Sequence, residues 1–249
     1  MTVTVEKRGP ISIFTIDRPA KRNAFDAVTT EALDAALNEF EDDDSALVGV
    51  LTGGPKFFCA GTDIVASAGT PTKRGGPYGI AGRRLTKPII AAVEGVAAGG
   101  GFEIALSATM IVASTTATFS FPEVGLGLVA ECGGLFRGPR ALPLNVAREM
   151  LLAGARLGAQ RAYELGLVNK VVEPEHALEE AVSLAEVIVA QAPIAIRETL
   201  HAVEALYAHA DKENWVGTTE AKNVVRSSSD SVEGVTAFTE KRAPRWVGR

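Results

Sequence analysis

The stretch Ala97-Ala98-Gly99-Gly100-Gly101-Phe102-Glu103-Ile104-Ala105-Leu106 decides how this sequence folds. It combines a bend of small residues with the start of an apolar helix that carries one carboxylate, Glu103, in its first turn. Three successive glycines have no Cβ, so a ligand can approach the backbone closely, and the amides at a helix start have no acceptor within the helix. The stretch therefore predicts a site for an oxyanion or another anionic group. Two other interpretations stay open: the glycines only pack a strand against a helix, and Glu103 only complements the helix dipole.

Length and composition are those of an ordinary globular protein. The chain has 249 residues, of which 47% are hydrophobic and 22% charged, enough for one large α/β domain or two small ones. Its net charge of -5 argues against a nucleic-acid partner. Residues 1–10 lack the apolar region of a signal peptide, and no run approaches the roughly 18 apolar residues of a membrane span. Cys59 and Cys132 form neither a disulfide framework nor a metal-ligand spacing, so we expect no metal site and a cytoplasmic protein.

Short apolar runs alternate with helical patterns on both sides of the glycine stretch. Strands are predicted at residues 2–6, 11–16, 47–52, 89–93, 110–113, 117–121 and 167–172. Helices are predicted at residues 80–85, 145–152, 159–165 and 175–190, and one more begins at the N-cap Asp26, with Val28, Leu33, Leu37 and Phe40 on one face. This alternation predicts βαβ units with right-handed crossovers and an α/β core over residues 1–192.

Residues 193–249 form a second predicted region, which is entirely helical. Ser229-Asp230 is predicted to cap its final helix. The region has too few large apolar side chains for an independent core, so we expect it to pack on the main domain or on another subunit.

Three loops that follow predicted strands carry the candidate chemistry, at residues 59–61, 99–101 and 122–123. Loops after the strands of a parallel sheet gather at one side, so these loops are expected to meet in one cleft. Glu103 and Glu123 would then converge with free backbone amides. Two carboxylates in different environments suit acid/base work, and fixed amides suit a developing oxyanion. The residues alone predict acid/base chemistry beside an activated carbonyl.

The order of the motifs along the chain resembles that of a known family. They are Asp17-Arg18-Pro19 with Arg22-Asn23-Ala24, Phe58-Cys59-Ala60-Gly61-Thr62-Asp63, Gly99-Gly100-Gly101-Phe102-Glu103, Phe121-Pro122-Glu123, residues 162–168, and the segment from Glu233-Gly234 to Glu240-Lys241-Arg242. In this order they resemble the crotonase (enoyl-CoA hydratase/isomerase) superfamily over nearly the whole chain. The resemblance implies a ββα superhelix with a C-terminal helical trimerisation region, and a homotrimer or a dimer of trimers.

The resemblance also implies a substrate and a division of roles. The substrate is an acyl-CoA thioester whose oxygen is held by the amides of Ala60 and Gly100, and no separate cofactor is needed because coenzyme A is part of the substrate. Glu103 and Glu123 match the two glutamates of true hydratases, with Glu123 as the main proton donor and Glu103 as the water-activating partner. The implied reaction is hydration of 2-enoyl-CoA to 3-hydroxyacyl-CoA.

Further positions are expected to bind the substrate by family position. The lysines and arginines would meet the phosphates of coenzyme A and Phe238 would touch the adenine, although solvated surface charges and a core aromatic are the alternatives. The predicted set is Arg22, Ala24, Lys56, Ala60, Gly61, Asp63, Ile64, Gly99, Phe238 and Lys241.

Glu131 departs from the hydratase pattern. Hydratases have a Pro-Gly-Ala-Gly-Gly type turn after the second glutamate, whereas this chain reads Val129-Ala130-Glu131-Cys132-Gly133-Gly134. An acid at this position takes part in catalysis in some relatives, including dienoyl-CoA isomerases, so double-bond isomerisation with Glu131 as a third catalytic acid is an alternative. The other interpretation of Glu131 is a helix cap at the pocket mouth. A third function is acyl-CoA binding without catalysis, if the segment 69–78 occludes the site.

Overall fold

Strands and helices alternate along the computed structural model, which describes residues 2–249. In chain order the strands are β1 (Val3–Arg8), β2 (Ile11–Ile16), β3 (Val48–Thr52), β4 (Ile89–Val93), β5 (Val96–Ala98), β6 (Met110–Ser114), β7 (Thr118–Ser120), β8 (Arg156–Gly158) and β9 (Lys170–Val172). The helices are α1 (Ala27–Asp42), α2 (Gly100–Ala105), α3 (Gly134–Ala141), α4 (Leu144–Ala153), α5 (Ala159–Glu164), α6 (Ala177–Val189), α7 (Pro193–Ala205), α8 (Ala208–Arg226) and α9 (Ser229–Thr239). Among residues 2–249, no helix combines the length and apolarity needed to cross a membrane.

The larger sheet has the strand order β1-β2-β3-β4-β6-β9 and is parallel except for the β1–β2 hairpin. Successive side chains of a strand point to opposite faces, so the apolar run of β3 is buried on both sides. Val48 and Val50 face a core that includes Ala181 and Ala185 of α6, and Leu51 faces the core that contains Leu33 of α1. The predicted α/β core is therefore a sheet between two helical layers.

Consecutive strands switch between two sheets, which is the predicted ββα repeat. β4 lies in the larger sheet and β5 in a smaller sheet of order β5-β7-β8, and α2 follows. β6 and β7 repeat this step. The parallel pairing of β5 with β7 places Ala98 beside Ser120, and an isolated bridge joins Cys59 to Ala97. This pairing brings the three predicted loops to one place.

Three local predictions are wrong. Val28 is 62% exposed and does not share the buried face of α1. Residues 80–85 form turns and not a helix, because the left-handed Gly79 (φ 75°) packs directly on the backbone of α1 and the Arg83 guanidinium binds the Asp34 carboxylate. The final helix is capped by Ser228, whose hydroxyl accepts from the amide of Ser231 (3.2 Å), one residue before the predicted cap.

The C-terminal helices of this chain differ in how they pack. α7 and α8 are largely exposed, whereas α9 buries Ser231, Gly234 and Ala237. A Cβ on Gly234 would overlap the carbonyl of Leu126, so α9 lies in backbone contact with the turn Glu123–Leu126. Within this chain α9 therefore packs on the core, and the part of the C-terminal region in a trimer stays a prediction.

Asn23 anchors the loop that carries Ala60. Its side-chain amide donates to the carbonyls of Gly53 (2.7 Å) and Phe57 (2.8 Å), and its oxygen accepts from the Arg18 amide (2.9 Å). Asn23 is buried and left-handed (φ 57°), a conformation that asparagine tolerates better than residues with other side chains. One side chain therefore joins the β2 exit to the loop after β3.

We expect Asn23→Ala to lower the free energy of unfolding by about 2–3 kcal/mol, because it leaves buried carbonyls without donors and places alanine in a left-handed conformation. Urea denaturation measures this change. The control is Asn145→Ala on the exposed start of α4, for which we expect a change within about 0.5 kcal/mol. Equal effects of the two substitutions would contradict the anchoring role.

Candidate active site

The three predicted loops line one cavity of about 440 Å³. Ala60 and Gly61, Gly99 and Gly100, and Glu123 all contribute to its wall. The predicted residues Ile64, Glu103 and Glu131 line it as well. A second cavity of about 460 Å³, beside Arg137 and Trp215, contains none of the predicted site residues. Glu123 also borders a smaller cavity of about 190 Å³, but only the first cavity contains both Glu103 and Glu123.

Glu103 is held by two backbone amides. The N–H groups of Cys132 (2.7 Å) and Gly134 (2.8 Å) both donate to its Oε1 atom. The side chain comes from the first turn of α2 and is almost completely buried, with 2% of its surface exposed. Burial raises the pKa of Glu103 to about 7, although the two amide donors favour the ionised form. Glu103 is thus poised to change protonation near neutral pH.

Glu123 lies in a different environment. It begins the single 3-10 turn after β7, and among residues 2–249 its buried Oε2 atom has no hydrogen-bond partner. Burial, and after it the charge of Glu103, raise the pKa of Glu123 to about 8. A Cβ on Gly99 would lie 2.9 Å from Oε1 of Glu123, so the glycine turn makes room for this carboxyl group. The surroundings favour a protonated Glu123 beside a more easily ionised Glu103.

The two predicted oxyanion donors are not equivalent. Gly100 begins α2, and its amide has no acceptor among residues 2–249. The amide of Ala60 already donates to the carbonyl of Arg22 (3.0 Å). A thioester oxygen at Ala60 would therefore have to share this donor or displace Arg22, and the role of Ala60 stays a prediction.

Glu131 is tied to the C-terminal helices. Its Oε1 accepts from Nη2 of Arg226 (2.7 Å), its Oε2 accepts from Nε of the same guanidinium (3.3 Å), and Nζ of Lys222 lies 3.2 Å from Oε1. Both cations come from α8. A proton-transfer role for Glu131 stays a prediction, and both of its oxygens are engaged in ion pairs.

Tyr78 lies at the glycine turn and was missed by sequence reasoning. Its hydroxyl lies 2.8 Å from Oγ1 of Thr62, and a Cβ on Gly100 would overlap its ring. Tyr78 has a positive φ (55°) next to Pro77 and Gly79, so the local glycine and proline pattern was the available signal. The segment 69–78 supplies this wall residue, and the cavity stays open beside it.

The other predicted binding residues lie outside the cavity wall. Arg22, Lys56 and Lys241 are exposed, and Phe238 is 57% exposed. Their contact with coenzyme A stays a prediction.

Two predicted binding residues have structural contacts. Asp63 accepts from the amides of Val65 and Ala66, and these amides are part of the reason why its pKa is lowered. The carbonyl of the buried Ala24 accepts from the Arg18 guanidinium. Within residues 2–249, no cluster of histidine, cysteine and acidic side chains has the arrangement of a metal site.

Comparison with known proteins shows the family of this chain. Residues 6–249 match the family model described as enoyl-CoA hydratase/isomerase. The chain is 42% identical to a carnitinyl-CoA dehydratase of Salmonella typhi, an alignment that covers 98% of this chain and 97% of that protein.

Two solved structures are similar over the full length. The carnitinyl-CoA hydratase of Mycobacterium avium has a TM-score of 0.94 at 36% identity, and the enoyl-CoA hydratase of Mycobacterium tuberculosis H37Rv has a TM-score of 0.81 at 41% identity. Each comparison covers 100% of this chain and 99% of the other. The fold is that of the crotonases, and the chemistry is of the hydratase or dehydratase type on CoA thioesters. The chain therefore belongs to the enoyl-CoA hydratase/isomerase family.

Proposed function

We propose that this protein adds water to 2-enoyl-CoA thioesters to give 3-hydroxyacyl-CoA, and that it catalyses the reverse dehydration. The observation that carries the proposal is the pair of carboxyl groups in one cavity, the buried Glu103 and the half-buried Glu123, with opposite hydrogen-bond environments. Glu103 accepts hydrogen bonds from two backbone amides, whereas the buried Oε2 atom of Glu123 has no hydrogen-bond partner among residues 2–249. A base and an acid at the same pH require such a difference.

In the proposed mechanism Glu103 is the base and Glu123 is the acid. Ionised Glu103 accepts a proton from water as the water oxygen bonds to Cβ of the substrate, and the π electrons move toward the thioester carbonyl. Protonated Glu123 then delivers its proton to Cα, which leaves a 3-hydroxyacyl thioester. One proton has been taken up by Glu103 and one given up by Glu123, so exchange of a proton between the two carboxyl groups or with water restores the site.

The developing enolate oxygen needs preorganised donors. Gly100 lines the cavity at the start of α2 and its amide has no acceptor among residues 2–249, and Ala60 N–H is the second donor if it shares its bond with Arg22. Fixed amides need no reorganisation when charge develops, which is the basis of their catalytic effect. In the same proposal Arg22, Lys56 and Lys241 meet the phosphates of coenzyme A, and no separate cofactor is used.

Isomerisation by Glu131 has less support. This alternative requires a third acid that is free to transfer protons. In the structure, however, Arg226 binds both oxygens of Glu131 and Lys222 lies beside Oε1. Acyl-CoA binding without catalysis depended on an occluded site, whereas the cavity of about 440 Å³ contains both carboxyl groups.

We expect Glu123→Gln and Glu103→Gln each to lower kcat for crotonyl-CoA about 100- to 10,000-fold, because each removes a proton-transfer group. The assay follows the loss of the conjugated thioester absorbance, with incorporation of labelled water oxygen as a second readout. Glu164→Gln, on an exposed ion pair with Arg161, is the control and should retain activity. Wild-type protein that binds acyl-CoA and turns over no 2-enoyl thioester of any chain length would overturn the proposal.

The pH profile of kcat/KM should be bell-shaped, with limbs near pH 7 and pH 8 for the free enzyme. The acidic limb reports ionisation of Glu103, which must lose its proton to act as base. The alkaline limb reports Glu123, which must keep its proton to act as acid. A profile that is flat from pH 6 to about 9 would contradict the two-carboxyl assignment.

Glu123 should also make stability depend on pH. Its folded pKa of about 8 lies above the ordinary value of 4.5, so the stability that comes from its protonated form is fully present below about pH 4.5 and is lost as the pH rises through 8. We expect Glu123→Gln, which cannot ionise, to gain roughly 2–4 kcal/mol relative to wild type between pH 5 and pH 9. Urea denaturation at both pH values measures the gain, and a parallel pH dependence of the two proteins would contradict it.

A further inference from the structure

A group of charged residues lies at one side of the cavity. We propose that Glu131, Lys222 and Arg226, which we call the 131/222/226 cluster, make the pocket select an uncharged acyl chain over one that carries a quaternary ammonium group. This inference rests on the proposed hydration of 2-enoyl-CoA and names the substrate class for that site.

The cluster lies next to the reacting groups. Glu131 directly precedes Cys132, whose amide donates to Glu103 (2.7 Å), and both Glu131 and Arg226 line the cavity. The Glu131 carboxylate is also close enough to Glu103 and Glu123 to contribute to their raised pKa values. A substituent on the acyl chain a few bonds beyond the double bond would therefore be exposed to the charge of this cluster.

The cluster carries more positive than negative charge. One carboxylate meets two cations, at distances of 2.7 Å to Arg226 and 3.2 Å to Lys222. Both carboxylate oxygens of Glu131 accept from Arg226, so the negative charge of Glu131 is already compensated by this guanidinium. The Glu103 carboxylate, which is ionised in the proposed mechanism, is offset by the positive charge of Arg137 on α3, so the excess of one positive charge in the cluster remains. A quaternary ammonium group here would meet charge of its own sign.

The remaining wall suits an alkyl chain. Its side chains near the cluster are the apolar Leu126, Leu128, Val129 and Val235. Quaternary ammonium groups are typically held by several aromatic faces, whereas Tyr78 is the one aromatic residue in the wall among residues 2–249. Its hydroxyl is bound to Thr62 and its ring packs against Phe25 (5.4 Å between centroids). The cavity therefore lacks an aromatic cage.

A preference for uncharged acyl chains would distinguish this chain from the relatives that are named for carnitinyl-CoA. The acyl group of carnitinyl-CoA carries a trimethylammonium group on C4. The catalytic pair fits dehydration of such a compound in principle, because Glu103 and Glu123 act on Cα and Cβ alone. The 131/222/226 cluster is what opposes it.

The test compares two 2-enoyl-CoA thioesters of nearly equal shape. One is 4-(trimethylammonio)but-2-enoyl-CoA, and the other is 5,5-dimethylhex-2-enoyl-CoA, in which a carbon replaces the charged nitrogen. We expect the wild type to prefer the uncharged compound by at least about tenfold in kcat/KM, the effect of roughly one unpaired like charge at partly solvated distance. A quaternary ammonium compound used equally well or better would overturn the inference.

Substitutions in the cluster should move this preference in opposite directions. Lys222→Met and Arg226→Met each remove a positive charge and should reduce the preference about tenfold, whereas Glu131→Gln should increase it. The side chain of Arg226 is 57% exposed and that of Lys222 is 35% exposed, so both variants are expected to fold and each tests the preference independently. Arg161→Met, on an exposed surface pair, is the matched control and should leave the ratio unchanged. A ratio that neither cationic substitution changes would contradict the assignment.

The experiments distinguish failure of the proposed hydration from failure of the proposed charge preference. If no 2-enoyl thioester is turned over, the hydratase proposal fails, and calorimetry with the same two thioesters still measures the charge preference as a ratio of dissociation constants. Tighter binding of the quaternary ammonium compound would then overturn the inference.

Discussion

The site depends on the two hydrogen bonds that the amides of Cys132 and Gly134 donate to Glu103. They join the first turn of α2 to the start of α3, two helices that follow different strand pairs. Because the hydrogen-bond partners are backbone amides, the backbone of residues 129–134 holds the Glu103 carboxylate in position. The carboxylate in turn restrains that backbone. Glu131 lies in that segment, so its attachment to α8 follows from the same geometry. Glu103 thus joins the glycine turn to the segment 129–134, and Glu131 joins that segment to the C-terminal helices.

Close backbone packing makes room for two acids in one buried place. Gly134 allows the approach of Glu103, since a Cβ there would lie 3.0 Å from Oε1, and Gly99 does the same for Glu123. α9 supports Glu123 from the other side, because Gly234 and Gly127 allow its backbone to touch the turn that carries this acid. Glycines from distant parts of the chain therefore make the space that these two carboxyl groups occupy. They let two carboxyl groups share one cavity, and burial is the first cause of the raised pKa of both.

Sequence patterns predicted the strands best, because an all-apolar run such as β3 is informative by itself. The convergence of Glu103 with the 59–61 and 122–123 loops also followed from strand order and from the family resemblance. Contacts across long sequence distances were not predictable in this way. Arg226 and Lys222 reach Glu131 from more than 90 residues along the chain, and nothing local distinguishes them from surface cations. The wrong helix prediction for residues 80–85 has the same kind of cause. The packing of Gly79 on the distant helix α1 overrides their local helical pattern.

The proposed catalytic pair and the 131/222/226 cluster lie on different secondary-structure elements. A substrate inferred from overall similarity to a relative therefore depends on residues outside the proposed pair. Glu103 and Glu123 depend on the glycine turn and on β7, which are central to the fold. Lys222 and Arg226 project from α8, a largely exposed helix with few packing constraints on its sequence. A relative can therefore share the reaction and 42% of its residues with this chain and still differ at the positions that set the charge of the acyl pocket. For this protein the reaction type follows from the core, and the acyl group must be argued from α8.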